Sequence, residues 1–274
     1  MKLNKMLTKL TLSALFSLAV FAEEKLVVDG STTVGPIAKA FAEYFKEIKP
    51  ALNITVSESG SGNGAKSLIN GTCNVADMSR FMKEKEFKAA VANGIAPVAH
   101  MVALDGLPIL VHPSNSVTNL TVEQVRNIYM EKITNWKELG GPDKKIIMIS
   151  RDTNSGTYET FHKLVMKKQK IAGQCEYVGS NGAVRQRVQS TPGAIGYAGL
   201  GFVDDTVKAL KINNIYPDMQ TVSKGIYPIS RPLFMFTNGY PKLGTALYQF
   251  ITLPFKKDGQ EIIESIGFIS ATEY

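Results

Sequence analysis

An α/β fold is predicted from two features of the sequence. From Lys25 onward, short β-branched runs alternate with amphipathic helical stretches, and several of the runs end in Gly, Ser and Thr just before a helix begins. Alternation at this frequency implies parallel sheets covered on both faces. With 274 residues, 44% of them hydrophobic and 20% charged, the chain has core material for one or two domains at about 150 residues each. That composition excludes disordered, collagen-like and disulfide-framework chains.

Leu26-Val27-Val28 reads as the first strand and runs into Asp29-Gly30. Behind Pro36, a favoured first-turn residue, Ile37, Ala40, Phe41, Tyr44 and Phe45 recur at helical spacing. The unit repeats: Ile54-Thr55-Val56 leads through the glycine-rich 59–64 segment to a short helix ending near Ile69, with Gly71 as its stop. Val75 to Met78 reads as a strand end and Leu107 to Val111 as a buried strand. Thr121-Val122-Glu123-Gln124 is a capping box that opens a helix through Tyr129. Trp136 lies in a loop-like stretch. Lys145 to Ser150 is another β run, followed by a helical stripe of Tyr158, Phe161, Leu164 and Val165. Ala194 to Tyr197 and Leu233 to Phe236 read as later strands, and a helix around Leu247 to Phe255 closes the chain. No repeat or linker marks a boundary, as expected if two lobes are joined by extended strands.

The first 22 residues stand apart. Lys2, Lys5 and Lys9 precede an uncharged run from Leu10 to Ala22 that is short for a membrane span, the pattern of a secretory signal cut after Ala22. Removing it lowers the basic count from 31 to 28 against 24 acids, a net of about +4 and a mild bias toward anionic partners. No Lys/Arg cluster suggests nucleic acid. Cys73 and Cys175 are an even pair in an oxidising compartment, able to bridge or to remain free thiols; spacing does not decide.

Three segments share one design, in which a strand ends, small hydroxyl residues follow and a helix begins: Gly30-Ser31-Thr32-Thr33, Ser59 to Gly64, and Ser155-Gly156-Thr157. A helix start presents unpaired N–H groups and partial positive charge, so small residues there admit an oxyanion to the backbone while hydroxyls donate further bonds. Each segment alone reads more readily as an N-cap. Three together, with cations at strand ends, read as one anion site. Arg151 and Arg80 are those cations, since a guanidinium fork fits a tetrahedral oxyanion and ligands of open α/β sheets bind off the carboxyl ends of strands. Asp105, after apolar Met101 to Leu104, is the odd acid. Beside an anion it is tolerable where it accepts a proton, as from hydrogen phosphate but not from sulfate; the other reading is a turn residue before Gly106.

These motifs, with Gly60-Ser61-Gly62-x-Gly64-x-Lys66, Met78-Ser79-Arg80, Ala103-Leu104-Asp105-Gly106-Leu107, Thr134-Asn135-Trp136-Lys137, the 150–157 segment, Ser180-Asn181-Gly182-Ala183-Val184 and Pro192-Gly193-Ala194-Ile195-Gly196-Tyr197, resemble the phosphate-binding proteins of phosphate-specific ABC importers. The similarity runs in order over nearly the whole mature chain. It implies a type 2 periplasmic-binding-protein fold, two α/β lobes joined by two hinge strands around a central cleft. Lobe 1 is expected at 23–110 plus 228–274 and lobe 2 at 111–227, with hinges near Pro108 to His112 and Gly225 to Pro232. The resemblance implies anion contacts at Ser31, Thr32, Ser61, Arg151, Ser155, Gly156 and Thr157, with Ser79, Arg80 and Asp105 completing the set. One branch of that family has an Asp where this chain has Arg80, so Asp105 is the candidate proton acceptor. The implied protein is monomeric and periplasmic, needs no cofactor, catalyses no reaction, and hands inorganic phosphate to an inner-membrane ABC permease complex.

Other readings fare less well. The 60–67 segment nearly matches a nucleotide phosphate loop but has Ala65 where the second Gly belongs. Hydrolase motifs are lacking, and His100, His112 and His162 are scattered without ligand spacing. A structural or adhesive module would show no anion-dependent stabilisation. The nearest rival is the same architecture binding tungstate, molybdate or sulfate.

Overall fold

The computed structural model describes residues 24–271, and the expected leader at 1–22 lies outside them. The first half of the fold opens with β1 (Glu24–Gly30), α1 (Gly35–Ile48), β2 (Leu52–Ser57), α2 (Ser61–Ile69) and β3 (Val75–Met78). The parallel trio β2-β1-β3 has helices on both sides, as the βαβ pattern requires. After α3 (Glu84–Ala92) comes β4 (Pro97–Gly106), ten residues long, which pairs antiparallel along its whole length with β12 (Ser230–Asn238). The last strand, β13 (Ile269–Ser270), completes a six-stranded sheet in the order β13-β4-β12-β3-β1-β2. Val28, Phe41, Leu233, Met235 and Phe250 fill the core on the α1 side.

The second half holds β5 (Ile109–Val111), β7 (Ile147–Arg151), β8 (Glu176–Val178), β9 (Ala194–Tyr197) and β10 (Lys208–Ala209) in a five-stranded sheet, order β10-β5-β9-β7-β8. Its helices are α4 (Val122–Tyr129), α5 (Gly156–Leu164), α6 (Asn181–Gln189) and the short α7 (Met219–Ser223). A small pair, β6 (Asn119–Leu120) and β11 (Lys211–Ile212), lies apart from it. Phe161 stacks on Tyr197 with ring centroids 3.9 Å apart, and Tyr129 packs edge-on against Phe161. Trp136 is fully buried in this core, its indole N–H donating to the Gly193 carbonyl at 2.8 Å, so its place is structural.

Several expectations are corrected. The sheets are mixed rather than parallel, because the strands that carry the chain between the halves, β4, β5 and β12, pair antiparallel with their neighbours. Pro108 cannot donate to a ladder and interrupts the run expected from Leu107. The chain passes from the first sheet to the second between Gly106 and Ile109 and is back in the first by Ser230. The C-terminal helix divides at Pro254 into α8 (Ala246–Thr252) and a 3-10 turn, with α9 (Lys257–Ser265) after it. Cys73 and Cys175 are free, each buried in a different core cluster, and burial pushes both thiols up to about 12.

One polar group in β3 runs against its surroundings. Asp77 lies between Gly30 of β1 and Met235 of β12, with both carboxyl oxygens buried and unpartnered among the described residues. Burial first, then the charges of Asp29 and Glu58, hold it well above the usual carboxylate range. A folded value above the unfolded one favours the fold below the unfolded pKa of about 3.9, and that contribution is lost as pH rises through the folded value. Asp77→Asn is expected to raise the melting temperature at pH 8 by roughly 4–8 °C, at about 2 kcal/mol for an unpartnered buried group, and by much less near pH 4. Calorimetric melts across that range check it; an equal shift at both ends would trace the effect to packing rather than ionisation.

Candidate functional site

The carboxyl ends of β1, β3 and β7 converge where the two halves meet, and the first turns of α1, α2, α5 and α6 abut the same place. Gly30 ends β1 at φ +141°, a region open to glycine, and a Cβ there would come 2.2 Å from the Asp77 carbonyl oxygen. The loop 31–34 then folds over β3: Ser31 N–H donates to that carbonyl at 2.8 Å, and Ser31 Oγ accepts from the N–H groups of Thr33 and Val34. With those bonds filling its lone pairs, the Ser31 hydroxyl hydrogen remains able to donate. The glycine-rich run straddles the start of α2, with Ser59 and Gly60 before it and Gly62 and Gly64 inside, and Gly64 sits so near β1 that a Cβ would be 2.7 Å from the Asp29 oxygen. This packing brings Ser61 beneath Ser79: Ser61 Oγ accepts from Ser79 N–H at 3.1 Å, and the two hydroxyls are 3.3 Å apart.

The second half faces this platform with the β7–α5 junction. Ser155 caps α5 by accepting from Tyr158 N–H at 3.2 Å. Gly156 follows where a Cβ would fall 2.5 Å from Ser61 Oγ and 2.6 Å from Ser79 Oγ, so only glycine lets the halves approach this closely. Thr157 Oγ1 lies 3.0 Å from Thr33 Oγ1, and Gly62 N–H donates to the Asn154 carbonyl at 2.9 Å. Asn181, on the first residue of α6, donates to Thr32 Oγ1 and Thr33 Oγ1 at 3.0 and 2.9 Å. These cross-contacts define a closed arrangement in which the candidate polar groups are buried.

Arg151 ends β7 within this enclosure and is 1% exposed. Its Nε and Nη2 donate to the carbonyls of Val178 and Gly179 at 3.2 and 2.8 Å, which fixes the plane of the fork. Its Nη1 is buried with no acceptor among the described residues. Burial pushes this guanidinium down to about 10, with nearby Arg231 acting in the same direction, yet it stays charged at neutral pH.

Asp105 and Arg80 have other partners. Asp105 Oδ2 accepts from Arg231 Nε and Nη2 at 3.0 and 2.8 Å, and Oδ1 accepts from Leu200 N–H at 2.9 Å. Burial raises its carboxyl above the ordinary value while Arg231 pulls it back. Asp105 is thus first the counterion of Arg231, which also reaches Thr33 Oγ1 and the Ser79 carbonyl. Arg80 leaves the enclosure: Nη1 and Nη2 fork onto Glu86 at 2.8 Å each, and Nη1 also donates to the Phe81 carbonyl. The structure therefore gathers Ser31, Thr32, Ser61, Ser79, Arg151, Ser155, Gly156 and Thr157, keeps Asp105 at the edge through Arg231, and directs Arg80 elsewhere.

Thr33, Asn181 and Arg231 belong with the group but were not singled out as site residues. Thr33 adjoins a motif, and Asn181 stands in the quoted 180–184 segment directly after the helix-capping Ser180. A charged residue inside the β12 run, Arg231, was the one available signal for the third. Among the described residues no cluster of His, Cys, Asp and Glu could hold a metal. Closely set amide hydrogens, hydroxyls and one guanidinium with a free donor among the described residues, in a dehydrated space, can bind a small oxyanion; they include no nucleophile–base pair.

Fold and site define the class: a two-lobed solute-binding protein that closes over a small anion. A model of the PBP superfamily domain matches residues 21–254. The chain is 31% identical to phosphate-binding protein PstS of Borreliella burgdorferi, over 95% of each chain, and 34% identical to its namesake in Bacillus subtilis, covering 92% of this chain and 82% of the relative. A crystal structure described as a phosphate ABC transporter substrate-binding protein with bound phosphate, from Clostridium perfringens, superposes with a TM-score of 0.84 at 33% identity, covering 91% of this chain and 100% of that one. The chain belongs to the PBP superfamily and, within it, to the PstS family of phosphate-binding proteins.

Gly156→Ala is expected to keep the halves apart, since the added methyl would meet two short hydroxyl side chains with little freedom to move. Small-angle scattering in an oxyanion-saturated sample checks it: a larger radius of gyration than wild type is expected, and equal radii would show that the junction yields.

Proposed function

We propose that the protein captures inorganic phosphate in this cleft and delivers it to an inner-membrane ABC permease, making and breaking no covalent bond. The observation that carries the reading is Arg151 Nη1, a buried charged donor with no acceptor among the described residues, set among hydroxyls and helix starts contributed by both halves. The PstS relatives and the phosphate-bound neighbour support phosphate as the anion. In the proposed site Ser31, Thr32, Ser61, Ser79, Ser155 and Thr157 supply hydroxyl donors, the backbone at Gly156 allows close approach, and Arg151 neutralises charge. The halves hinge at the two crossings, 106–109 and 227–230, and the anion favours the closed form because it bridges donors from both. Export as a periplasmic monomer by the 1–22 leader belongs to the same proposal. Among the described residues no helix is long and apolar enough to cross a membrane.

Removing the guanidinium deletes charge-assisted bonds that contribute about 1.5–3 kcal/mol each. Arg151→Ala is therefore expected to weaken phosphate binding at least tenfold by isothermal titration, and an unchanged Kd would sink the assignment.

Selectivity follows from charge. A fully deprotonated anion such as sulfate gains nothing from a carboxylate nearby, whereas hydrogen phosphate can donate to one. Asp105 keeps capacity on Oδ1 beside its single bond from Leu200. Asp105→Asn is expected to narrow the preference for phosphate over sulfate, and competition titrations with both anions decide; a preserved ratio would remove Asp105 from selectivity.

A further inference from the structure

Four charged side chains outside the anion enclosure span the cleft. Arg80 and Lys83 belong to the segment between β3 and α3 in the first half, Glu86 to the first turn of α3, and Glu159 stands on the first turn of α5 in the second half. Within the first half Glu86 holds the Arg80 fork and also accepts Lys83 N–H at 2.9 Å. Across the cleft Glu159 Oε1 lies 2.8 Å from Lys83 Nζ and 3.0 Å from Arg80 Nε, both of them ion-pair contacts off the hydrogen-bond line. Arg80, Lys83 and Glu159 also line a cavity of about 690 Å³ between the halves that extends to Arg231.

The charges balance only when the halves are together. Arg80, Lys83 and Glu86 sum to +1 on the first half, and Glu159 supplies the missing negative charge from the second. Separation would strand Glu159 and leave a single positive charge facing the route to the enclosure. The Arg80 side chain is 8% exposed and Glu159 19%, so the contact is mostly withdrawn from solvent, where an ion pair is less screened than at the surface and more costly to break.

We propose that Glu159 is a positioning residue for anion retention: through Arg80 and Lys83 it latches the closed form and thereby sets how slowly the bound anion leaves, without touching the anion. The inference rests on the reading of the cleft as an oxyanion site. It also gives Arg80, placed at a strand end like a ligand residue, a use that its geometry supports. The latch acts after capture, so it slows release while leaving the choice between phosphate and sulfate to the enclosed donors.

Stopped-flow measurement of phosphate release from wild type, Glu159→Gln, Lys83→Gln and the double variant tests it. Glu159→Gln is expected to accelerate release by about five- to tenfold with association changed by less than about twofold, and Lys83→Gln added to it is expected to do little more, since their shared contact is already lost. Release within twofold of wild type, or effects that simply multiply, would overturn the latch. A wild type that does not bind phosphate would sink the phosphate reading instead. The latch would then be read from spin-label distances across the cleft in anion-free protein, where a shift of the distribution toward longer distances in Glu159→Gln supports it and an identical distribution refutes it.

Discussion

A guanidinium taken out of water with one nitrogen left without an acceptor among the described residues is the constraint around which the molecule is arranged. Arg151 is enclosed, its orientation set by the Val178 and Gly179 carbonyls, and one of its nitrogens has no acceptor among the described residues. Desolvating a lone cation is costly, and proteins tolerate it where something else will supply the opposite charge. Nearby hydroxyls accept from the backbone, Ser31 from Thr33 and Val34 in the loop and Ser155 from Tyr158 as the cap of α5, which leaves their hydrogens able to donate. A second cation, Arg231, is in contrast already matched by Asp105. Arg151 thus has the charge and geometry to hold an anion.

Closure and chemistry are the same event in this architecture. The donors come from loops on opposite halves, and the approach of those loops depends on single atoms: a methyl at Gly156 would collide with Ser61 and Ser79. Asn181 and Thr157 then tie α6 and α5 to the β1 loop. The bonds are short and few, so the closed form needs additional support from what it encloses and from the charged cluster at its edge. The long antiparallel pair β4 and β12, which leads into both crossings, provides a stiff base for the movement.

The two basic strand-end residues show how far side-chain type can mislead. Arg80 and Arg151 each follow a β run next to a helix start, and nothing in spacing separates them. Four residues past Arg80 the chain enters α3, whose third residue, Glu86, is within bidentate reach, whereas Arg151 is followed by Asp152, whose Oδ1 accepts Asn154 N–H in the turn. A local carboxylate claims one arginine and leaves the other. Asp105 shows the same effect across 126 positions, where Arg231 reaches it from an adjacent strand.

Class, element order and the hydroxyl-rich helix starts were legible in the sequence because they are set by local periods and capping chemistry, interactions within a few residues. The motif resemblance carried the family, and with it Ser31, Thr32, Ser61, Arg151, Ser155, Gly156 and Thr157 as a group. Tertiary structure alone decided that the sheets are mixed, that Thr33, Asn181 and Arg231 join the group, that Asp77 is buried with no partner among the described residues, and that Arg80 faces Glu159. Each of those depends on which strands become neighbours and which loops meet across a cleft. That is settled by pairing over long separations, and periodicity in one dimension does not encode it.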